Sequence, residues 1–207
     1  LIVVVGGVRR SAMISLSNLS DDRMRHAKSG QWWETAGHRA LANNSVAYTR
    51  KPDVQAFMDE WLNQYKSKSG ERGIFNREAA EKQAKKHGRD TNHSFGCNPC
   101  SEIILRPNQF CNLTEVVVRG TDSLQDIKEK VEVATIIGTA QATFTKFKYL
   151  RPVWKKNTEE EALLGVSLTG IMDSVLTNGQ EGFLDLTLST LRNHAESVNL
   201  EYSSKLN

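Results

Sequence analysis

The apolar positions of this chain change period repeatedly, and each change marks an element. Residues 1–5, Leu-Ile-Val-Val-Val, run into Gly6-Gly7, which predicts a buried strand ending in a tight loop. Residues 12–16 alternate and predict a second strand. Residues 21–28 are polar and predict a surface helix with Ser20 as its N-cap. The Trp32-Trp33 pair and residues 41–48 predict a helix, then a turn into a short strand. The clearest helix comes next. Val54, Phe57, Met58, Trp61, Leu62 and Tyr65 recur at helical spacing behind Pro52 and Asp53.

Residues 70–73 break that helix, and Gly73-Ile74-Phe75-Asn76 predicts a short strand. Residues 78–86 predict a basic, weakly amphipathic helix, and 88–96 are polar and loop-like. Val116-Val117-Val118 predicts the end of a strand at Gly120. Asp122 or Ser123 can then cap a long helix with an apolar face of Leu124, Ile127, Val131, Ala134 and Ile137. Pro152 is expected to interrupt the segment after that helix, with a new helical pattern from Glu159. A last helix runs over 183–199 through Leu184, Leu188, Leu191, Ala195 and Val198. Strands alternating with helices predict an α/β layout with mainly parallel strands. No internal repeat is visible.

Bulk properties narrow the class only a little. The 207 residues suffice for one domain with a core, and a charged fraction of 25% is that of an ordinary globular protein. A net charge of +3 on 27 basic and 24 acidic residues demands no nucleic-acid partner. No apolar run approaches the roughly 18 residues of a membrane span. Residues 1–5 are too short for a signal-peptide core. Three cysteines, an odd number, argue against a secreted disulfide framework and for a cytoplasmic setting with reactive thiols. The chain starts inside a strand pattern and stops inside a helical one, so an internal fragment of a larger protein is expected.

The candidate chemistry sits at Asn98-Pro99-Cys100-Ser101-Glu102 and Phe110-Cys111-Asn112-Leu113. With residues 98–104 extended, alternation places Asn98, Cys100 and Glu102 on one face. A hydrogen-bonding amide, a thiol and a proton-transfer carboxyl would then meet the same small molecule. For an isolated cysteine, a core thiol after an Asn-Pro turn is the default; these neighbours shift the balance to catalysis. Cys97 and Cys100 also have the spacing of a redox or zinc motif. A zinc site needs about four ligands, and only His93 and Cys111 lie near, so no metal site is assigned. Cys97 reads as an incidental thiol. Gly6-Gly7-Val8-Arg9 is a second candidate. Its glycines let backbone amides approach a ligand, and Arg9 can stack on a base or reach a phosphate. Alone, that signal is more often a plain turn.

Asn98 to Glu102 with Phe110 to Leu113 resembles the active-site finger loop of ribonucleotide reductases, the radical enzymes that make deoxyribonucleotides. Residues 6–12 resemble that family's loop for reading the substrate base and sensing the effector. Residues 161–171, Glu-Ala-Leu-Leu-Gly-Val-Ser-Leu-Thr-Gly-Ile, resemble its strand-and-helix segment beyond the finger loop. Three motifs in family order span nearly the whole chain. Pro99 is more typical of the adenosylcobalamin-dependent class than of the di-iron class, which usually has Leu there. Arg10 replaces a glycine found in several di-iron enzymes.

The resemblance implies the central part of a ten-stranded α/β barrel, incomplete at both ends, with a specificity loop at 6–12 and a finger loop at 97–113. Residues 1–207 would form one partial catalytic domain. Cys100 would be the thiyl radical, Glu102 the base at the 3′-hydroxyl, and Asn98 the group holding the ribose hydroxyls. Cys111 would be half of a redox-active pair whose partner lies upstream of residue 1. Gly6, Gly7 and Arg9 would contact the substrate. The implied cofactor is adenosylcobalamin. The implied partners are a ribonucleotide substrate, a nucleotide effector, a thioredoxin-like or other dithiol reductant, and flanking polypeptide that completes the barrel. The alternatives are the large subunit of a di-iron reductase and a non-catalytic nucleotide-binding fragment.

Overall fold

The computed structural model describes residues 11, 13–180, 182 and 184–206. The predicted strand at 1–5 and Gly6, Gly7 and Arg9 lie outside these. The chain divides into two compact units, residues 1–107 and 108–207.

The first unit is built on three parallel strands in the order β1 (Ile14–Ser17), β2 (Asn43–Tyr48) and β3 (Gly73–Asn76). Gly73 faces Ser45 in the ladder, and a Cβ there would stand 2.8 Å from the Ser45 hydroxyl, which would have to turn away. Strand β2 takes up most of the 41–48 segment and begins at Asn43 and Asn44. Between β1 and β2 lie α1 (Asp22–Arg25), α2 (Trp32–Thr35) and a 3-10 turn over Gly37–Leu41. The cap of α1 is Asp21, whose side chain accepts from the Met24 amide at 3.0 Å, rather than Ser20. The helix is also shorter than expected. Lys28 has left it to bury its ammonium on the Ala42 carbonyl (2.6 Å) and Glu71 (2.8 Å).

Helix α3 (Val54–Ser67) starts where predicted, with Asp53 capping the Ala56 amide at 2.9 Å. Its apolar stripe, however, faces outward: Val54 is 78% exposed and Tyr65 60%. The buried face carries Glu60 instead, with no exposed surface. Arg72 donates to Glu60 through Nε (2.6 Å) and Nη2 (2.9 Å), and Arg25 Nε donates at 3.1 Å. Arg72 Nη1 continues to the Ser17 hydroxyl at 2.9 Å and the Asn18 carbonyl at 3.2 Å. A charge network therefore fastens α3 to β1. Burial pushes the Glu60 carboxyl up, but its bonds to and charge attraction for the two arginines outweigh this and hold it below its ordinary value.

On the other side, α4 (Arg77–Lys86) is capped by Asn76 and buries Ala80 and Ala84. Ala80 joins Ala47, Phe75 and Cys97 in a core that Ile14, Leu16 and Ile104 flank. Cys97 reaches it from a small antiparallel hairpin, β4 (Gly96–Cys97) and β5 (Ile104–Leu105).

The second unit pairs β6 (Leu113–Val117) in parallel with β7 (Gly165–Thr169). Helix α5 (Leu124–Ala142) opens with a capping box between Ser123 and Asp126. It buries Ile127, Val131 and Ala134 against Val116, Val118 and Leu191, the last from α7 (Leu184–Leu206). Thr139 donates to Asn199 Oδ1 at 2.9 Å, tying α5 to α7. At Gly138 the Leu164 side chain packs so closely that an added Cβ would lie 2.1 Å from its terminal methyl, which would have to move aside. Pro152 does not interrupt a helix but starts one, α6 (Pro152–Glu161), at a position where its missing N–H costs nothing. Glu159 lies in its last turn.

The architecture is mixed α/β with small sheets, five of its seven described strands pairing in parallel. Among the described residues no helix is long and apolar enough to cross a membrane.

Candidate active site

Residues 98–103 form the turn between β4 and β5. The extended segment expected here is not formed, because the chain must reverse within these few residues. Ser101 takes a left-handed conformation (φ 69°), and its amide donates to the Asn98 carbonyl at 2.9 Å. The turn nevertheless brings two predicted residues together by another route. Asn98 is buried, and its side-chain carbonyl accepts from the Ile103 amide at 3.0 Å. Its Nδ2 donates to Glu102 Oε1 at 2.6 Å. Cys100 lies at the exposed apex of the turn, between the two bonded residues in sequence. The result is an open thiol on a turn braced by an amide–carboxylate pair.

The hairpin beneath is held from α4 and the loop after it. Arg77 Nε donates to the Phe95 carbonyl at 2.8 Å, and Arg89 Nη1 to the Ile104 carbonyl at 3.0 Å. Phe95 is fully buried, with the Arg89 guanidinium 5.1 Å from its ring centre. Cys97 is buried and donates to the Ser101 hydroxyl at 3.6 Å. Burial pushes its thiol up from the ordinary value, and the Glu102 charge adds to this, so Cys97 stays protonated. Two thiols three residues apart thus occupy opposite environments.

From β2, the Asn43 side-chain amide donates to the Pro99 carbonyl, adjacent to Cys100. Asn43 also lines a cavity of about 850 Å³ with Lys28, Arg39, Met13 and Met24. Asn43, Arg77 and Arg89 were missed in the sequence. The available signal was the polar Asn43-Asn44 pair in a segment that ends in a buried strand.

In the second unit, half-buried Cys111 stands among anchored neighbours. Gln109 donates to Glu161 at 2.6 Å, and Asn112 exchanges bonds with Leu163 (3.1 Å) and the Gly165 amide (2.8 Å). Phe110 packs on Phe147 and Trp154 with ring centres 5.0 and 4.7 Å apart.

The chain is 31% identical to the adenosylcobalamin-dependent ribonucleoside-triphosphate reductase of Lacticaseibacillus paracasei over 183 residues, 85% of this chain and 23% of that protein. This chain is a relative of the adenosylcobalamin-dependent ribonucleotide reductases. The reductase of Lactobacillus gasseri is 31% identical over 181 residues, and that of Lactobacillus leichmannii 29% over 187. In each case the chain spans about a quarter of the reductase (23%). No family profile matches the chain. No solved structure matches it either.

Proposed function

We propose that this chain carries the reacting thiol of an adenosylcobalamin-dependent ribonucleotide reductase, acting on ribonucleoside triphosphates as its relatives' names indicate. The observation that carries this reading is the exposed Cys100 on a turn braced by the Asn98–Glu102 bond. Replacing a 2′-hydroxyl by hydrogen is difficult because hydroxide leaves poorly. Removing the 3′-hydrogen first eases that departure, and a thiyl radical forms an S–H bond of suitable strength for reversible transfer. Cys100 takes the 3′-hydrogen. Glu102 accepts the 3′-hydroxyl proton, which it can do from within about 3 Å. Asn98 orients Glu102 and the ribose hydroxyls. The 2′-hydroxyl takes a proton from the thiol pair formed by Cys111 and a second cysteine and leaves as water. The pair then gives a hydrogen atom to C2′ and an electron to the 3′-ketone, closing a disulfide, while Glu102 returns its proton to the 3′-oxygen. Cys100 then returns its hydrogen to C3′.

The chemistry supplied by adenosylcobalamin is one-electron oxidation through homolysis of its cobalt–carbon bond. That cofactor carries its cobalt in its own ring, so it requires an accessible thiol rather than a protein metal cluster. Exposed Cys100 meets this requirement and buried Cys97 does not. Gly6, Gly7 and Arg9 are assigned to base and effector recognition. The parallel pairs β1–β2–β3 and β6–β7 are compatible with a share of a ten-stranded barrel, completed by flanking polypeptide. A dithiol reductant would regenerate the Cys111 pair. The di-iron alternative gains no support from these relatives.

The test is an anaerobic assay of the native enzyme with ribonucleoside triphosphate, adenosylcobalamin and dithiothreitol, without iron. Deoxynucleotide formation that depends on cobalamin is expected. A requirement for oxygen and iron, or no reduction under either condition, would overturn the proposal.

A further inference from the structure

We infer that Asn43 is a positioning residue for Cys100, an inference that rests on reading Cys100 as the reacting thiol. Asparagine is depleted in strands, yet β2 begins with two of them. Both side-chain amides are committed to backbone carbonyls outside β2. Asn44 Nδ2 donates to the Met24 carbonyl at 2.9 Å, and Asn43 Nδ2 to that of Pro99. A residue that disfavours its own element but bonds to another is placed for that second contact.

The contact is well situated to control the thiol. Asn43 is fixed at its backbone, where its amide donates to the Met13 carbonyl at 2.9 Å and Ile14 faces it in the ladder. The carbonyl it holds belongs to the peptide bond joining Pro99 to Cys100. Rotation of that peptide would swing the Cys100 side chain. The bonds inside the turn, from Ser101 to Asn98 and from Asn98 to Ile103 and Glu102, close its base and its far limb. Asn43 reaches the near side of the apex from a rigid sheet. Hydrogen abstraction depends on sub-ångström placement of the reacting atoms, and a displacement of about 1 Å can cost about 10²-fold in rate. Asn43 never touches the reacting atoms. It acts through the Pro99 carbonyl.

Two variants of the native enzyme separate this role from simple support of the sheet. Asn43→Val favours the strand and removes the donor, whereas Asn43→Asp keeps the shape and removes the donor. Asn63→Ala, which loses a bond to the Arg25 carbonyl, is the control. Hydrogen-exchange mass spectrometry should show faster exchange at 100–102 in both Asn43 variants, with β1 and β3 unchanged, and no such change in the control. In the reductase assay kcat should fall about tenfold or more while KM stays within about twofold. Unchanged exchange at 100–102 in Asn43→Val overturns the inference. So does faster exchange that extends equally over β1 and β3, or an unaltered kcat despite a loosened turn. A native enzyme that reduces no ribonucleotide would overturn the proposed function instead, leaving the exchange experiment to decide whether Asn43 holds the turn.

Discussion

Helices α3 and α5 both carry an apolar stripe at helical spacing, and the two stripes meet opposite fates. In α5, Ile127, Val131 and Ala134 pack into the core of the second unit. In α3, Val54, Met58, Trp61 and Tyr65 face outward, and Glu60 on the opposite side is fully buried on Arg72 and Arg25. The stripe is even organised on the surface, with Trp61 and Tyr65 stacked at 6.0 Å and 4°. Periodicity therefore specifies a helix without specifying which face has a partner. What joins α5 to its unit is apolar area; what joins α3 to its unit is a charge network. The two attachments should fail in different ways.

The largest effect is expected at the network. Arg72→Ala strands the Glu60 carboxylate in the interior and should cost about 3–5 kcal/mol in the first unit. Combining Glu60→Met with Arg72→Leu should recover most of that. Denaturant-dependent hydrogen exchange over β1, α3 and β3 gives the values, and a loss below about 1 kcal/mol for Arg72→Ala would break the comparison. In the second unit, Ile127→Ala should cost about 2–5 kcal/mol, read as faster exchange in α5 and α7. An effect confined to the first unit would contradict the packing described.

Acid should also separate the units. Glu60 is depressed in the folded state, so its contribution is fully present above the ordinary carboxylate value and is lost as pH falls through the folded one. Exchange in α3 should therefore accelerate in acid more in the native protein than in the Glu60→Met, Arg72→Leu variant. Equal acid sensitivity would remove Glu60 as the cause. The smallest effect is expected at Trp61→Ser, within about 1 kcal/mol, because that ring is already half exposed. A cost of about 3–5 kcal/mol, usual for a buried Trp, would mean that another surface covers this stripe.

Local features of the fold were the most legible. The strand at residues 73–76, the helix start at Asp53 and, of the two caps offered, Ser123 all follow from short-range chemistry and are formed, whereas α3 ends at a left-handed Lys68 ahead of the break expected at 70–73. Pro152 was misread because proline breaks a helix from within but is welcome at its first turn. The roles of Asn43 and Asn44 were not legible because the carbonyls they serve are distant in sequence. The same holds for Glu60 and Arg72, twelve positions apart, whose pairing no periodicity reveals. At the candidate site, alternation correctly grouped Asn98 with Glu102 for the wrong reason. They meet across a tight turn, not along an extended strand. The motif already set Cys100 apart from Cys97 in the sequence, and their surroundings separate them physically, one in a core and one at an apex.

That distinction between the two thiols is the most direct point of attack on the whole account. The measurement is single-turnover reduction of a ribonucleoside triphosphate by the native enzyme and by its Cys97→Ser and Cys100→Ser variants, with nucleotide binding measured on each. The Cys100→Ser enzyme should bind nucleotide normally and yield less than about 1% of the native deoxynucleotide, because a serine O–H bond is too strong for the radical to form usefully, while Cys97→Ser should retain most of its turnover. Substantial product from Cys100→Ser, or its loss in Cys97→Ser alone with the fold intact, would show that the exposed apex is not where the chemistry occurs.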